Sequence, residues 1–252
     1  MSFEGSRRLV ILSGPSCVGK SPLYKSLGKF HPELHATPQK LVLYNSRASR
    51  PGEHDGVDYH FRTRPQVEAL RADPRYAVLE ARSDLQAVDV PELEAFLRSR
   101  DVFFEGNPSV ALALLTHPRL SSVQRLSIFL SPLSKEEIIY FQAPERNVSL
   151  PELLTEIMRR KLLRRTRRQN GDLSAADLQN IETRASSAYR ELQLAWRFQH
   201  VIPNHDGEDS DHWEAFYYPI GDARKSLAAF VSLLQRLVPN GVETWEEGIL
   251  RA

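Results

Sequence analysis

Short apolar runs alternate along this chain with longer stretches whose apolar residues recur at helical spacing. The runs are four or five residues long and are bounded by turn residues, which is typical of buried β-strands. They occupy residues 9–12, 41–44, 76–79, 102–105, 126–130 and 200–203. Strands that alternate with helices form βαβ units. We therefore predict an α/β fold, a three-layer sandwich in which helices cover both faces of a mostly parallel central sheet.

The starts of three helices are predicted by a serine that is followed three residues later by an acidic residue, the pattern of a capping box. These serines are Ser134, Ser149 and Ser174. After Ser149, Pro151 falls in the first helical turn, where its missing N–H costs nothing. An amphipathic pattern over residues 223–238 predicts one more helix, which we interpret as a packing helix rather than a second domain.

The composition limits the kinds of partner that this chain can bind. The chain has 33 basic and 32 acidic residues, so its net charge is too small to attract nucleic acid or an anionic membrane surface. The apolar runs are too short to cross a bilayer, and the start of the chain lacks the hydrophobic region of a signal peptide, so we predict a cytoplasmic protein. Cys17 is the only cysteine, which excludes an intrachain disulfide and a cage of cysteine metal ligands.

A glycine-rich stretch follows the first predicted strand and precedes a predicted helix. Gly14, Gly19, Lys20 and Ser21 fit the pattern G-x-x-x-x-G-K-[ST] of a phosphate-binding P-loop. The glycines let backbone N–H groups point at phosphate oxygens, the lysine neutralises the β- and γ-phosphates, and the serine hydroxyl ligates Mg²⁺. We therefore predict that the chain binds ATP and Mg²⁺. The predicted nucleotide-binding residues of this loop are Gly14, Ser16, Val18, Gly19, Lys20, Ser21 and Pro22.

A second informative stretch, residues 45–61, carries Arg47 and Arg50 and then Tyr59 after a turn-rich connector. Arginine binds phosphate oxygens with two parallel N–H groups. Two such side chains and a phenol that converge on one point would bind a monophosphate. The residues alone therefore predict an acceptor site for a phosphorylated molecule, in addition to the donor site for ATP.

Together the two stretches resemble the guanylate kinase family, whose P-loop is similar and whose acceptor segment follows R-x-x-R-x-G-E-x-x-G-x-x-Y-x-F. The resemblance implies a divergent nucleoside monophosphate kinase that transfers a phosphoryl group from ATP to GMP or another monophosphate. It also implies a P-loop NTPase core with an acceptor-binding subdomain and a helical lid, and an acceptor phosphate held by Arg47, Arg50 and Tyr59. The matching positions of the acceptor segment are Arg47, Arg50, Gly52, Glu53, Gly56, Asp58, Tyr59 and Phe61.

The resemblance is less complete where the acceptor base would bind. The family has a glutamate that reads the guanine edge, and Glu80 stands for it here. The Tyr-Gly-Ser or Tyr-Gly-Thr element that follows in the family is absent, and Gln86 and Asp89 occupy its place. Glu105 ends a predicted strand at the edge where ligands bind in parallel sheets, so we predict that it orients Mg²⁺ or binds the base.

A strongly basic helix is predicted between the strands at residues 126–130 and 200–203. Helical spacing aligns Arg160, Arg164 and Arg167 along one edge of its apolar face. By the resemblance this helix is a lid, whose Arg164, Arg167 or Arg168 clamps the moving phosphoryl group together with Arg184. From the residues alone, a solvated basic face or an RNA-contacting surface stays open. The residues that the resemblance implies for the adenine pocket are Asn204 and Asp206.

We predict one guanylate-kinase-like domain over residues 1–235 and a tail over 236–252. Its parts are a core at 1–42 and 101–142, an acceptor-binding segment at about 43–100, a lid at about 143–175 and a returning core at about 176–235. We expect a monomer or homodimer that acts on small-molecule nucleotides. Two other functions stay open: a kinase of another phosphorylated metabolite, such as ribose bisphosphate or a modified nucleotide, and a non-catalytic guanylate-kinase-like interaction module.

Overall fold

The computed structural model describes residues 7–50 and 52–250, and contacts divide the chain into two compact units. The first unit comprises residues 1–11 and 37–126, and the second comprises residues 12–36 and 127–252. The ends of the predicted domain and tail, residues 1–6 and 251–252, lie outside the described residues. No described helix combines the length and the apolar character that a membrane span requires.

The element bounds follow the alternation of strands and helices that the apolar pattern predicts. The strands β1 to β9 span Arg8–Ser13, Gln39–Lys40, Tyr44–Asn45, His60–Phe61, Tyr76–Ala81, Asp84–Asp89, Val102–Gly106, Gln124–Ser131 and His200–Pro203. The helices α1 to α9 span Lys20–Phe30, Pro32–Ala36, Arg64–Ala69, Val90–Ser99, Pro108–Thr116, Lys135–Gln142, Leu150–Asn170, Ala175–Leu192 and Gly221–Leu234.

The larger sheet has the strand order β2-β7-β1-β8-β9. Strand β2 pairs with β7 in parallel, with Gln39 opposite Val102, and β8 pairs with β9 in parallel, with Ile128 opposite His200. The apolar residues of β1 are all buried, as expected for a strand that helices cover on both faces. The predicted α/β fold with a mostly parallel central sheet is therefore confirmed.

A smaller sheet in the first unit has the order β4-β3-β6-β5. Strands β5 and β6 form an antiparallel hairpin, and β3 is antiparallel to β6 and parallel to β4. One face of this sheet packs through Leu85 and Ala87 against Val67 of α3. Because successive side chains of a strand alternate between faces, Asn45 and Gln86 point to the opposite face. That opposite face carries Gln86, one of the residues predicted to bind the acceptor base.

One predicted strand was incorrect for most of its length, and one six-residue strand was missed. Residues 41–43 are not a strand, because the chain crosses here from one sheet to the other. The backbone N–H of Leu41 donates to Phe103 at 2.8 Å, whereas the carbonyl of Leu43 accepts from His60 at 2.8 Å. Strand β6 was missed because its polar ends and buried glutamine lack an apolar run, and its pairing with β5 stabilises it instead.

All three predicted helix starts are confirmed, and the predicted capping box forms at two of them. Ser134 and Ser174 form complete capping boxes at the starts of α6 and α8. Ser149 precedes α7, but its side chain makes no capping hydrogen bond, so the predicted box is wrong there. Pro151 sits among the first residues of this helix and has no N–H to donate, which removes one of the donors that a cap would satisfy. The predicted amphipathic C-terminal helix is confirmed as α9.

Candidate active site

The P-loop connects the end of β1, at Ser13, to the start of α1, at Lys20. Gly14 and Gly19 have φ angles of 144° and 102°, which L side chains rarely adopt. A Cβ atom on Gly14 would lie 2.4 Å from the carbonyl oxygen of Leu130, and one on Gly19 would lie 2.6 Å from Asn204 Nδ2. Only glycine therefore fits at these two positions of the loop.

The P-loop lysine is held inside its own loop. Lys20 is only 8% exposed, and its ammonium donates to the carbonyl oxygens of Gly14 at 2.9 Å and Pro15 at 2.7 Å. Cys17, in the same loop, is buried with a left-handed φ of 64°. Burial raises the pKa of the Cys17 thiol to about 12, so the thiol stays neutral at physiological pH.

The Asn204 side chain links the P-loop, by hydrogen bonds, to the segment that follows β9. Its side chain is fully buried, and Nδ2 donates to the carbonyl oxygens of Val18 and Asp206, both at 2.8 Å. The Asp206 carboxylate accepts from the backbone N–H of Ala223, at the start of α9, and from the hydroxyl of Ser210. Both residues predicted for the adenine pocket thus stabilise the loop structure, and adenine binding by them stays a prediction.

Glu208 was not identified from the sequence, although it lies beside the P-loop. Its backbone N–H donates to the carbonyl of Cys17 at 3.4 Å, and its carboxylate accepts from Arg165 Nη1 at 2.9 Å. Burial raises the pKa of Glu208, but the charges of Arg165 and Lys20 lower it by more, so the carboxylate is ionised. The only sequence signal for this pair is an acidic turn downstream of a basic helix.

The basic helix α7 presents its arginines in different directions. Arg164 is 69% exposed and lies 3.7 Å from Asp209, and Arg168 pairs with Asp211 at 3.0 Å on the surface. Arg167 is also exposed. Arg184 of α8 is buried, and its charge helps to lower the pKa of Glu208. Of the predicted clamp residues, Arg184 is therefore buried and interacts electrostatically with Glu208, whereas Arg164, Arg167 and Arg168 are exposed.

The acceptor stretch of the first unit centres on Arg47. Its Nη1 and Nη2 each lie 2.6 Å from a carboxylate oxygen of Glu53, and its guanidinium carbon lies 5.1 Å above the ring of Tyr59. The backbone N–H of Arg50 also donates to Glu53, at 2.8 Å, while the Arg50 side chain is exposed. Glu53 matched the sequence pattern but was not assigned a role, and it binds the Arg47 side chain and the Arg50 backbone.

Tyr59 keeps its phenolic proton in this site. Burial raises its pKa to about 12, although the charge of Arg47 opposes the rise and the charges of Glu105 and Glu53 add to it. The structure therefore brings Arg47, Tyr59 and Glu105 within electrostatic reach of one another. A neutral phenol and a charged guanidinium are both hydrogen-bond donors, as an anionic phosphate requires.

The residues predicted to bind the acceptor base are not all brought together. In the β5/β6 hairpin Gln86 pairs with Leu79, and Glu80 pairs with Leu85, so Glu80 and Gln86 point to opposite faces. Asp89 caps α4 by accepting from the backbone N–H of Glu92 at 3.0 Å. On the face of Gln86 the sequence reasoning missed Asp84, a half-buried carboxylate near Arg47 whose pKa burial raises.

Comparisons with known proteins bear on this arrangement. The family model named "Guanylate kinase" matches residues 6–82. A guanylate kinase from Synechococcus sp. (strain JA-3-3Ab) is 30% identical over 215 residues, which cover 84% of this chain and 82% of the relative. One from Mycobacterium sp. (strain MCS) is 34% identical over 160 residues, 60% of this chain and 74% of the relative.

The crystal structure of guanylate kinase from Anaplasma phagocytophilum is similar in fold. It superposes with a TM-score of 0.56 at 17% sequence identity and covers 92% of this chain and 87% of that one. The fold, the P-loop and the arginine-rich acceptor stretch agree with the sequence similarity to the Synechococcus enzyme, which extends over most of both chains. This chain therefore belongs to the guanylate kinase family.

Proposed function

We propose that this protein catalyses the ATP-dependent phosphorylation of GMP to GDP. The observation that carries the proposal is that one chain holds both a complete P-loop around Lys20 and an arginine, Arg47, that Glu53 and Tyr59 orient. The first is a donor site for a nucleoside triphosphate, and the second is an acceptor site for a monophosphate. The sequence similarity to guanylate kinases supports GMP as the acceptor.

Mg²⁺ is part of this proposal because the chain offers suitable ligands. The hydroxyl of Ser21, in the first turn of α1, and the carboxylate of Glu105, at the end of β7, are hard oxygen donors of the kind that Mg²⁺ prefers. Among residues 7–50 and 52–250 no group of three or more His, Cys, Asp or Glu side chains could hold a metal by itself. When bound with ATP, Mg²⁺ neutralises charge on the β- and γ-phosphates.

The chain's own residues would perform the transfer by binding and by electrostatics. Arg47, Arg50 and Tyr59 bind the acceptor phosphate, which is already an anion, so no side-chain base is needed. Lys20 binds the transferred phosphoryl group, whose loose transition state spreads negative charge over its oxygens. Arg184 stabilises that charge. The exposed residues of α7 that we propose to contribute when this helix closes are Arg164, Arg167 and Arg168.

The compartment of the protein, its oligomeric state and the roles of its segments are proposals as well. We propose that residues 43–100 bind the acceptor, that residues 143–175 form the lid, and that the protein acts in the cytoplasm as a monomer or homodimer. The near balance of 33 basic and 32 acidic residues supports nucleotides, rather than nucleic acid or a membrane, as partners. A single cysteine is compatible with a reducing compartment.

A coupled assay of ADP release tests the proposed function. It uses ATP and Mg²⁺ with GMP, dGMP, AMP, CMP, UMP or ribose bisphosphate as the acceptor. We expect turnover with GMP, abolished by Lys20→Ala and retained by Lys25→Ala, which changes an exposed lysine of the same helix. Turnover with ribose bisphosphate and none with GMP would contradict the proposal. If no acceptor caused ADP release, the proposal would also be contradicted, and a non-catalytic binding module would be the remaining function.

A further inference from the structure

The carboxylate of Glu208 pairs with Arg165 and interacts electrostatically with two further cationic side chains. Arg165 Nη1 donates to it at 2.9 Å, and the charges of Lys20 and Arg184 also lower its pKa. These cations would repel one another if no anion were present. Glu208 is therefore a counter-ion for these cations.

The position of Glu208 is fixed by its backbone. Its N–H donates to the carbonyl of Cys17, and the preceding Gly207 fits so closely that a Cβ atom would lie 2.3 Å from the same carbonyl oxygen. The segment that contains Gly207 and Glu208 therefore packs closely against the P-loop. A side chain anchored in this way can orient the group that it binds.

Arg165 has hydrogen-bonding capacity that Glu208 does not use. Its Nη1 binds Glu208, but its Nε is buried and has no hydrogen-bond partner within the part of the chain that is described. A buried N–H without a partner is costly and rare in native proteins. An oxygen-rich anion that reached this guanidinium would satisfy the unused donor.

We propose that Glu208 is a positioning residue of the donor site: it holds the Arg165 guanidinium beside the P-loop so that the free N–H of Arg165 binds a phosphate oxygen of ATP. This inference rests on the proposed function, because it takes ATP as the donor. It adds Arg165 to the exposed arginines of α7 that are proposed to act when this helix closes. Pre-oriented donors bind a phosphate without the entropy cost of ordering a long side chain.

Isothermal titration calorimetry with ATP and Mg²⁺ tests this inference on Glu208→Gln, Arg165→Lys and the double variant. Glu208→Gln keeps the shape but removes the charge, and Arg165→Lys keeps the charge but removes Nε and the fork. We expect each single variant to weaken ATP binding about tenfold. Because Glu208 acts through Arg165, the double variant should bind ATP no more weakly than Arg165→Lys alone.

Two controls separate positioning from general stability. Glu182→Gln disrupts an exposed pair between Glu182 of α8 and Arg159 of α7, at 2.7 and 2.8 Å, and should leave ATP affinity unchanged. Glu208→Asp keeps the charge and should retain ATP affinity within about threefold of the wild type. GMP affinity should stay within about twofold in every variant, and urea unfolding should verify that each is folded.

Several results would overturn the inference. It fails if folded Glu208→Gln binds ATP as tightly as the wild type, if ATP and GMP affinities fall together, or if the two substitutions are additive. If Glu208→Gln does not fold, Arg165→Lys with unchanged ATP affinity would overturn it equally. If the wild type binds ATP and Glu208→Gln binds it more weakly, but the wild type phosphorylates no GMP, the result would contradict the proposed function and support this inference.

Discussion

Arg47 and Glu53 form a bidentate ion pair in which both terminal guanidinium nitrogens lie 2.6 Å from the carboxylate oxygens. Glu53 also accepts from the backbone N–H of Arg50, and the ring of Tyr59 supports the guanidinium from one face. The direction of Arg47 is therefore set by the protein itself. Such an arrangement lowers the ordering cost when a phosphate binds.

Glu53→Gln should weaken the acceptor site. An amide cannot accept two charge-assisted hydrogen bonds from one guanidinium, so Arg47 would lose its fixed direction. We expect KM for GMP to rise about tenfold and KM for ATP to stay the same. Steady-state kinetics with each substrate varied in turn would measure this. Glu68→Gln, which alters an exposed pair with Arg71, is the control and should match the wild type. An unchanged KM for GMP in Glu53→Gln would argue against a positioning role.

Gly19→Ala should abolish ATP binding by deforming the P-loop. The new Cβ would meet Asn204 Nδ2 at 2.6 Å and the carbonyl oxygen of Asp206 at 2.7 Å, in addition to the strain of a φ of 102°. Gly171→Ala is a matched control, because Gly171 has a φ of 72° but no atom within 4 Å of its Cβ position. This control isolates backbone strain, about 1 kcal/mol. Calorimetric binding of ATP by Gly19→Ala at wild-type affinity would contradict the geometry of the loop.

Asn204→Ala should destabilise the second unit whether or not nucleotide is present. Its loss leaves the buried carbonyls of Val18 and Asp206 without their shared donor, at a cost of about 2 kcal/mol. Urea unfolding measures the change. Asn170→Ala, at the exposed end of α7, should cost less than about 0.5 kcal/mol. If Asn204→Ala changed only the stabilisation by ATP, Asn204 would be a nucleotide contact rather than a structural one.

His205 should make the stability of the second unit depend on pH. Its ring nitrogens lie 2.6 Å from Asp222 and 2.9 Å from Glu137, while Lys161 donates to its carbonyl and Lys225 pairs with Asp222. Partial burial lowers the pKa of His205, but the two carboxylates raise it by more, so it lies above the ordinary 6.5.

The sign of this pH effect follows from the raised pKa. The stabilisation by protonated His205 is fully present below pH 6.5 and is lost as the pH rises through the folded-state pKa. Urea unfolding at a series of pH values should therefore show a loss of stability above about pH 6.5 that His205→Gln lacks. His54→Gln, on an exposed loop of the first unit, should keep the wild-type profile. Identical profiles for His205→Gln and the wild type would contradict the assignment.

Local spacing was sufficient to find the P-loop and the Arg47 stretch, because both sites are built from residues close together in the chain. Local spacing was insufficient to predict which side chains lie together where the acceptor base was expected to bind. Glu80 and Gln86 are only six residues apart, yet the register of the hairpin places them on opposite faces. A shift of one residue in a strand exchanges the two faces, and no local pattern fixes that register.

The sequence by itself determined the α/β alternation, the phosphate loop around Lys20 and the pairing of Arg47 with Tyr59 in one stretch, since each depends on near-neighbour spacing. Only the tertiary structure decided which cations meet at the donor site. Arg165 approaches Glu208 across 43 positions of the chain, and neighbouring Arg164 remains 69% exposed. One residue along a helix turns a side chain by about 100°, so packing, and not composition, selects the arginine that faces the P-loop.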